Sequence, residues 1–212
     1  MSCCNNQIIE KQFDEDKVAN RVNEYHSKGI SKETRILVNE LKSIGVDGYS
    51  LLDIGCGYGG IGIELLKSGV AQVENLEASS PYLEAAKTET KKNNFSNNIT
   101  FTYGDFVEIA NQVSAADIVT LDKVICCYDE LEPLIKLSCN KTFKFYGLIY
   151  PRDSWWGKAA IGFENLIRKI KGNTFRVFVY PGETIDNLIK ESGLKKIFCK
   201  SMMVWQIAIY SR

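Results

Sequence analysis

The amino-acid sequence predicts an α/β fold, a mostly parallel sheet with helices on both faces. Three observations support this. A short apolar run, Leu51–Ile54, leads through a glycine-rich turn into a helix; strands and helices then alternate as far as Tyr150; and two strands joined by almost no loop follow near Tyr210. The chain of 212 residues is long enough for one domain with a full core, and it shows no internal repeat or long linker.

Two helices are expected before the first strand. Apolar residues recur at helical spacing over residues 9–26, which predicts one continuous helix preceded by a loose arm at residues 1–8. Ser31 can cap a second helix, and Gly45 closes it.

The turn GCGYGG at residues 55–60 is the most informative stretch of the chain. Glycines without a Cβ let backbone approach a ligand, and the first N–H groups of the following helix point at it. The spacing fits both the dinucleotide fingerprint GxGxxG and the pattern GxGxG. Asp53 helps to separate these alternatives, because a carboxylate repels a pyrophosphate and attracts an ammonium group. A turn used only for chain reversal is disfavoured, since four glycines destabilise a fold unless something requires them.

Acidic residues follow the second and third predicted strands. The second strand covers residues 71–76 and reaches Glu77, which is placed to accept from two ribose hydroxyls. Ser80 then caps a helix with Pro81 at its first position. The third strand, residues 99–103, precedes Asp105.

The remaining elements alternate in the same way. Asp105 can cap a short helix. The later predicted strands, helices and extended segments cover residues 115–121, 131–139, 143–150 (stopped by Pro151), 154–171, 174–181, 182–192, 194–201 and 203–210.

The glycine turn with its preceding Asp53 resembles the first motif, D/E-x-G-x-G-x-G, of class I S-adenosylmethionine (SAM)-dependent methyltransferases. The resemblance covers about residues 9–212. The CCY and YPRD-x-WW segments, at residues 126–128 and 150–156, are similar to those of small bacterial methyltransferases. The N-terminal helices and first motif give a more distant likeness to magnesium-protoporphyrin O-methyltransferases, whose porphyrin substrate we do not transfer.

This resemblance implies a Rossmann-like seven-stranded mixed sheet with an antiparallel seventh strand, helices on both faces and an N-terminal helical cover. Residues 1–45 would form the cover, and residues 46–212 would bind SAM. In such enzymes Asp105 would accept from the adenine amino group, Phe106 would pack on the ring, and the Leu121 carbonyl would accept from the ammonium. The expected cofactor-binding residues are Tyr25, Asp53, Gly55, Cys56, Gly57, Glu77, Ala78, Asp105, Phe106 and Leu121.

Catalytic residues are less readable, because methyl transfer releases a neutral thioether and depends mainly on alignment. His26, Asp122 and Lys123 are candidates for a base or another direct role, although His26 also fits a surface position. We expect the acceptor pocket between the N-terminal helices, the segment after the fourth strand and the loop at residues 152–156. Its predicted lining is Tyr128, Arg152, Trp155 and Trp156. Alternatively, one tryptophan packs under the helix and Arg152 pairs with Asp153.

The expected acceptor is small and partly apolar. Lys+Arg and Asp+Glu are both 26, and no Asn/Asp-Pro-Pro-aromatic motif follows the fourth strand, so a nucleic-acid substrate is not expected. No run of ~18 apolar residues and no secretory h-region is present, which predicts a cytoplasmic protein without a membrane partner. The seven cysteines lack CxxC spacing, so we expect reduced thiols and no metal. The adjacent Cys126 and Cys127 should diverge and so not share a zinc ion.

Two other functions remain open. One is a regulator or assembly subunit that binds SAM without turnover. The other is an NAD(P)-dependent oxidoreductase, which Asp53 and the closing hairpin disfavour. The oligomeric state is not readable.

Overall fold

The computed structural model describes residues 6–212, except the side chains of Asn6, Gln7, Trp156 and Ala160; the first five residues of the predicted arm lie outside the described part. Its strands are β1 (Ser50–Ile54), β2 (Gln72–Glu77), β3 (Ile99–Tyr103), β4 (Ala116–Asp122), β5 (Thr142–Pro151), β6 (Lys195–Ser201) and β7 (Trp205–Ser211). They form one sheet in the order β3-β2-β1-β4-β5-β7-β6. Neighbours from β3 to β5 are parallel, and β7 is antiparallel to both β5 and β6. The predicted seven-stranded mixed sheet is confirmed.

Helices cover both faces of this sheet. They are α1 (Asn6–Gln12), α2 (Glu15–Lys28), α3 (Lys32–Ile44), α4 (Gly60–Leu66), α5 (Ser80–Lys92), α6 (Phe106–Ile109), α7 (Leu131–Asn140), α8 (Trp155–Ile170) and α9 (Gly182–Glu191). On one face, Leu37 of α3 packs in a core with Leu51 and Ile118 of the strands. On the other, α7 and α9 pack against alternate residues of the same strands.

The first predicted helix is wrong as a single element. It divides into α1 and α2 because Asp14 adopts an extended conformation and its side chain accepts from the amide of Lys17 at 3.0 Å. An N-cap of this kind starts a new helix whatever the apolar periodicity around it. The predicted loose arm is also wrong at residues 6–8, which belong to α1.

Two other boundaries differ from the prediction. Ser79 rather than Ser80 caps α5, accepting from the amide of Tyr82, so Pro81 is the second helical residue. Pro151 does not stop β5 but is its last residue, paired with Trp205. Strand β4 already ends opposite Ile149, so the missing N–H of Pro151 leaves no ladder bond unmade.

The N-terminal helices differ in how they attach. Helix α3 is part of the main core, with Leu37 and Leu41 fully buried. Helix α1 lies over the ends of β2 and β3, where the Glu10 carboxylate accepts from the Ser80 amide and hydroxyl and from the Tyr103 hydroxyl, each at 3.0 Å. This places α1 above the carboxyl edge of the sheet.

Candidate active site

The carboxyl ends of β1, β2 and β4 bring three predicted segments together. Ile54 pairs with Leu76 on one side and with Leu121 on the other. The glycine turn after β1 therefore lies between Glu77 at the end of β2 and Asp122 at the end of β4. A crevice at this edge is where open parallel sheets bind ligands.

The glycine turn is fixed by both backbone conformation and packing. Gly55, Gly57 and Gly59 have φ values of 67°, 56° and 79°, in the left-handed region. A Cβ at Gly55 would lie 2.5 Å from a methyl group of Val124, so a larger residue cannot be accommodated there without a shift. The amides of Gly55 and Cys56 both donate to the carbonyl of Leu76, which ties the turn to β2.

Glu77 holds the turn as well as facing the site. One carboxylate oxygen accepts from the Gly57 amide at 2.8 Å, and the other accepts from the amides of Ala78 and Ser79 at 2.9 and 3.0 Å. Burial raises the pKa of Glu77, and the three amides act in the opposite direction. A carboxylate accepts about four hydrogen bonds, so the predicted pair of ribose contacts exceeds the capacity left on Glu77.

Asp53 is a buried carboxylate that is only half satisfied. Its Oδ1 accepts from the Thr120 hydroxyl at 2.6 Å, whereas Oδ2 has no hydrogen-bond partner among the described residues. Burial raises the pKa of Asp53 to about 8, and the negative charges of Asp122 and Glu77 add to the shift. An unpaired buried acceptor of this kind is destabilising unless a ligand donates to it, and a cationic donor suits it best.

Asp105 lies after β3 as predicted, but its neighbours differ from the expectation. Its Oδ1 accepts from the Val107 amide at 2.9 Å, as the cap of α6, and from the Tyr128 hydroxyl at 2.8 Å. Tyr128 thus lies beside Asp105, and its place in the acceptor pocket stays a prediction. Phe106 is 0% exposed and belongs to the core, so it presents no free face for ring packing. The cap at Asp105 starts α6 at once and directs Phe106 inward.

The end of β4 carries a polar cluster. Strand β4 continues one residue beyond the predicted end, so Leu121 is an interior strand residue paired with both β1 and β5. Asp122 Oδ2 accepts from the Thr34 hydroxyl of α3 at 2.5 Å, while Oδ1 is buried without a hydrogen-bond partner in the described part. Burial raises the pKa of Asp122, and the ammonium of Lys123 opposes the rise.

Lys123 has a strained backbone and several polar contacts. Its φ is 63°, which non-glycine residues rarely adopt and which clusters at functional sites. Its ammonium donates to the Ser31 hydroxyl at 3.1 Å and lies 3.7 Å from Asp122 and 3.9 Å from Glu33. The start of α3 is therefore fastened to the end of β4.

His26 is not brought to this edge. Its Nε2 lies 2.8 Å from the carboxylate of Glu89 in the last turn of α5. That position is about 14 Å along the helix axis from its start at Ser80. His26 also borders an open cavity of about 600 Å³ between α2, α3 and the ends of α4 and α5, away from the strand ends. Its candidacy as a base is not supported by this geometry.

Tyr25 lies nearer to the turn than His26 does. Its ring stacks on that of Tyr58, within the glycine turn, at a centroid distance of 4.7 Å. Burial raises the pKa of Tyr25, which keeps the phenol protonated and able to donate. Its role toward a ligand carboxylate stays a prediction.

The place of Trp155 in an aromatic wall after β5 stays a prediction, and the structure leaves this residue in solvent. That side chain is 83% exposed, because α8 packs through its other side. The side chain of Trp156 lies outside the described part. Arg152 is exposed, and Asp153 pairs with Lys158 at 2.6 Å instead of with Arg152.

Trp205 is the aromatic residue that sequence reasoning missed. Its half-buried ring lies 5.3 Å from the ammonium of Lys123, and it pairs with Pro151 at the end of β5. Because β7 is antiparallel to β5, its first residue lies at the carboxyl edge. The closing hairpin was the signal that could have placed it there.

The adjacent cysteines do not diverge as expected. The thiols of Cys126 and Cys127 both lie near the Lys123 carbonyl, at 3.2 and 3.8 Å. Both cysteines belong to a short 3₁₀ turn, Ile125–Cys127, which brings their side chains toward that carbonyl. Within the described residues, no group of three or more His, Cys, Asp or Glu side chains could hold a metal ion.

SAM fits the residues at this edge. The unpaired Oδ2 of Asp53 matches its ammonium group, and the backbone at Gly57 is open to a close approach, because a Cβ there would meet nothing nearer than the Tyr82 ring at 3.9 Å.

Comparison with known proteins gives the same family. The model of a methyltransferase domain family matches residues 46–175, more than half of the chain. Over 117 residues the chain is 29% identical to the ribosomal protein L11 methyltransferase of Prochlorococcus marinus, a match that covers 55% of this chain but only 37% of that protein. The chain therefore spans little more than a third of that relative's length.

Solved structures share the whole fold. Magnesium protoporphyrin IX methyltransferase from Synechocystis, crystallised with bound S-adenosylhomocysteine, superposes with a TM-score of 0.74 at 17% identity, over 98% of this chain and all of that one. An O-methyltransferase family protein from Burkholderia thailandensis has a TM-score of 0.67 at 15% identity, over 94% of this chain and 63% of that one. Because its family model matches more than half of the sequence, this chain belongs to the methyltransferase domain family.

Proposed function

We propose that this enzyme transfers the methyl group of SAM to a small, partly apolar acceptor by in-line displacement. The observation that supports this most strongly is the cluster at the end of β4. There Asp122 has one buried oxygen without a hydrogen bond, and its other oxygen accepts from Thr34 of α3. The ammonium of Lys123 lies 3.7 Å from Asp122 and 5.3 Å from the ring of Trp205. Polar groups beside an aromatic side chain suit a small, partly apolar molecule.

The cofactor-holding roles follow from the chain's own groups. Asp53 Oδ2 would accept from the ammonium of SAM, and the backbone at Gly55 and Gly57 would lie against its methionine end. Glu77 has capacity for one ribose hydroxyl, and Asp105 keeps one oxygen for the adenine amino group. When bound, SAM supplies an electrophilic methyl group on a sulfonium.

The protein's catalytic contribution is mainly alignment and exclusion of water. Orientation of this kind contributes on the order of 7–11 kcal/mol in well-aligned intramolecular reactions. Asp122 takes the proton of an acceptor hydroxyl or amine, since its raised pKa brings a carboxylate closer to the working pH. Lys123 holds Asp122 in place, and Trp205 bounds the acceptor on the side of β7.

The N-terminal segment completes the site as its cover. We keep residues 1–45 as the cover and residues 46–212 as the SAM-binding part. Within the cover, α3 anchors to the sheet core, whereas α1 lies over the ends of β2 and β3 through Glu10.

One other acceptor class has support, because the Prochlorococcus relative is named for a ribosomal protein substrate. A labelling experiment separates the two classes. The enzyme is incubated with methyl-labelled SAM and a cell extract, which is then divided into a low-mass solvent-extractable fraction and an acid-precipitable fraction. We expect label in the low-mass fraction, with far less when Asp122→Asn replaces the parent. Enzyme-dependent label in precipitated protein or nucleic acid would refute the small-molecule proposal.

A further inference from the structure

Helix α8 presents its apolar side to solvent. At 100° per residue, Trp155, Phe163, Leu166 and Ile170 fall within an arc of about 80°. Their side chains are 83%, 65%, 53% and 77% exposed. Ile167 extends this surface, which we call the apolar arc of α8. Water-soluble helices normally turn such an arc toward the core.

The side of α8 that faces the protein is the more polar one. Asn165 donates to the Val177 carbonyl at 2.8 Å and accepts from the Val177 amide at 3.0 Å. Arg168 lies over the ring of Phe175 at 5.2 Å. Because these contacts fix the rotation of the helix, the apolar arc has no route into the core of this fold.

The charges around α8 have one dominant sign. Between Arg152 and Arg176 the chain carries six Lys/Arg and two Asp/Glu, although its formal net charge is zero. Lys169 borders the apolar arc on one side together with Lys158, which is paired with Asp153, and the exposed Lys171 follows the last turn. An apolar arc flanked by basic side chains is the pattern of helices that lie in the surface of an anionic bilayer.

We propose that the apolar arc of α8 docks this enzyme on an anionic lipid surface. The chain does not cross the bilayer there. Its 16 residues span about 24 Å against a hydrocarbon thickness of about 30 Å. No helix of the described residues is long and apolar enough to span a membrane. We expected no membrane partner because the sequence lacks a spanning segment. A helix that lies in the interface needs no such segment.

The position of α8 relates the docking surface to the active site. Three residues separate the end of β5 from the start of α8. The chain beyond the far end of α8 continues into Asn173, whose side chain donates to Gln12 of α1 at 3.0 Å. The apolar arc is thus carried by the same elements that border the carboxyl edge of the sheet. Docking would hold that edge close to the lipid surface.

Vesicle co-sedimentation tests the proposal with the full chain. We expect the parent protein to pellet with vesicles of phosphatidylcholine and phosphatidylglycerol, and to stay in solution with phosphatidylcholine alone. The double variant Phe163→Ser/Ile170→Ser should bind at least about tenfold more weakly. Lys169→Gln should weaken anionic binding roughly fivefold, an effect that high salt removes.

The control is Phe143→Ser. Phe143 is similarly exposed (59%) but lies at the start of β5, on the opposite edge of the sheet. The vesicle binding of this variant should equal that of the parent. Circular dichroism and the thermal shift with S-adenosylhomocysteine check that each variant is folded. Parent protein that stays in solution with both vesicle types overturns the proposal. So does a dimer in analytical ultracentrifugation that Phe163→Ser/Ile170→Ser dissociates, because the apolar arc then binds a second copy.

Discussion

The affinity of the enzyme for SAM should rise with pH between about 6 and 8. Burial raises the pKa of Asp53 to about 8, so most of the free protein carries a neutral Asp53 at pH 7. Only the carboxylate pairs with the ammonium of SAM. Binding at pH 7 should therefore release roughly 0.9 proton from Asp53.

The size of the change in SAM affinity follows from the titration of Asp53 and that of the α-amino group of SAM. The fraction of ionised Asp53 grows with pH, while an α-amino group with a pKa of about 7.7–8.0 loses its charge. The product of the two fractions rises about twentyfold from pH 6 to 8 and falls again above that.

The free protein should show the opposite trend in stability. The folded pKa of Asp53 lies above the unfolded value of 3.8. The stabilisation from protonated Asp53 is thus complete below pH 3.8 and is lost as pH rises to about 8.

Titration calorimetry at pH 6, 7, 8 and 9, in buffers of different ionisation enthalpy, measures both the Kd and the proton release. Asp53→Asn keeps the shape of the side chain and should remove the pH-dependent rise together with much of the affinity. Thr120→Val removes the hydrogen bond that lowers the pKa of Asp53, so the rise should move to higher pH. Asp16→Asn, on the exposed side of α2, is the matched control. A Kd that is constant from pH 6 to 8, or a rise that survives in Asp53→Asn, would refute the reasoning.

Three further predictions concern the other residues of the site. Glu77→Gln should weaken S-adenosylhomocysteine binding by about tenfold or more, since a lost charged acceptor costs roughly 1.5–3 kcal/mol. His26→Ala should leave the Kd for S-adenosylhomocysteine unchanged. Equal calorimetric affinities for the two variants would remove Glu77 from the site. Asp122→Asn should lower kcat by about 10²–10⁴ with the labelled acceptor while S-adenosylhomocysteine still binds, and an unchanged kcat would exclude Asp122 as the base. Trp205→Ala should raise the acceptor KM and Trp155→Ala should not, so the reverse result in steady-state kinetics would return the acceptor to the α8 side.

Much of the fold could be predicted because its signals are local. The apolar run before the glycine turn, the Ser31 cap and the closing hairpin each depend on a few neighbouring residues. The helix boundaries that were predicted wrongly depend on which residue supplies the N-cap. Asp14 splits a helix that periodicity alone makes continuous, and Ser79 displaces Ser80 as a cap because its hydroxyl reaches the Tyr82 amide.

The candidate site was predictable to a lesser degree. Strand order places Asp53, Glu77, Asp105 and Asp122 on one edge, as the spacing suggested. Their partners come from distant parts of the chain. Thr34 lies 88 residues before Asp122, and Tyr128 reaches Asp105 from across the edge.

By itself, the sequence determined the family, the expected cofactor and the edge of the sheet where the candidate site lies, because those follow from one contiguous motif and the alternation of strands and helices. Only the tertiary structure decided what each side chain faces. In the folded chain Phe106 is buried in the core, His26 lies against Glu89 and Trp155 is exposed to solvent. The physical reason is that the direction of a side chain depends on the rotation of its helix or strand, and that rotation is fixed by contacts between residues far apart in the chain.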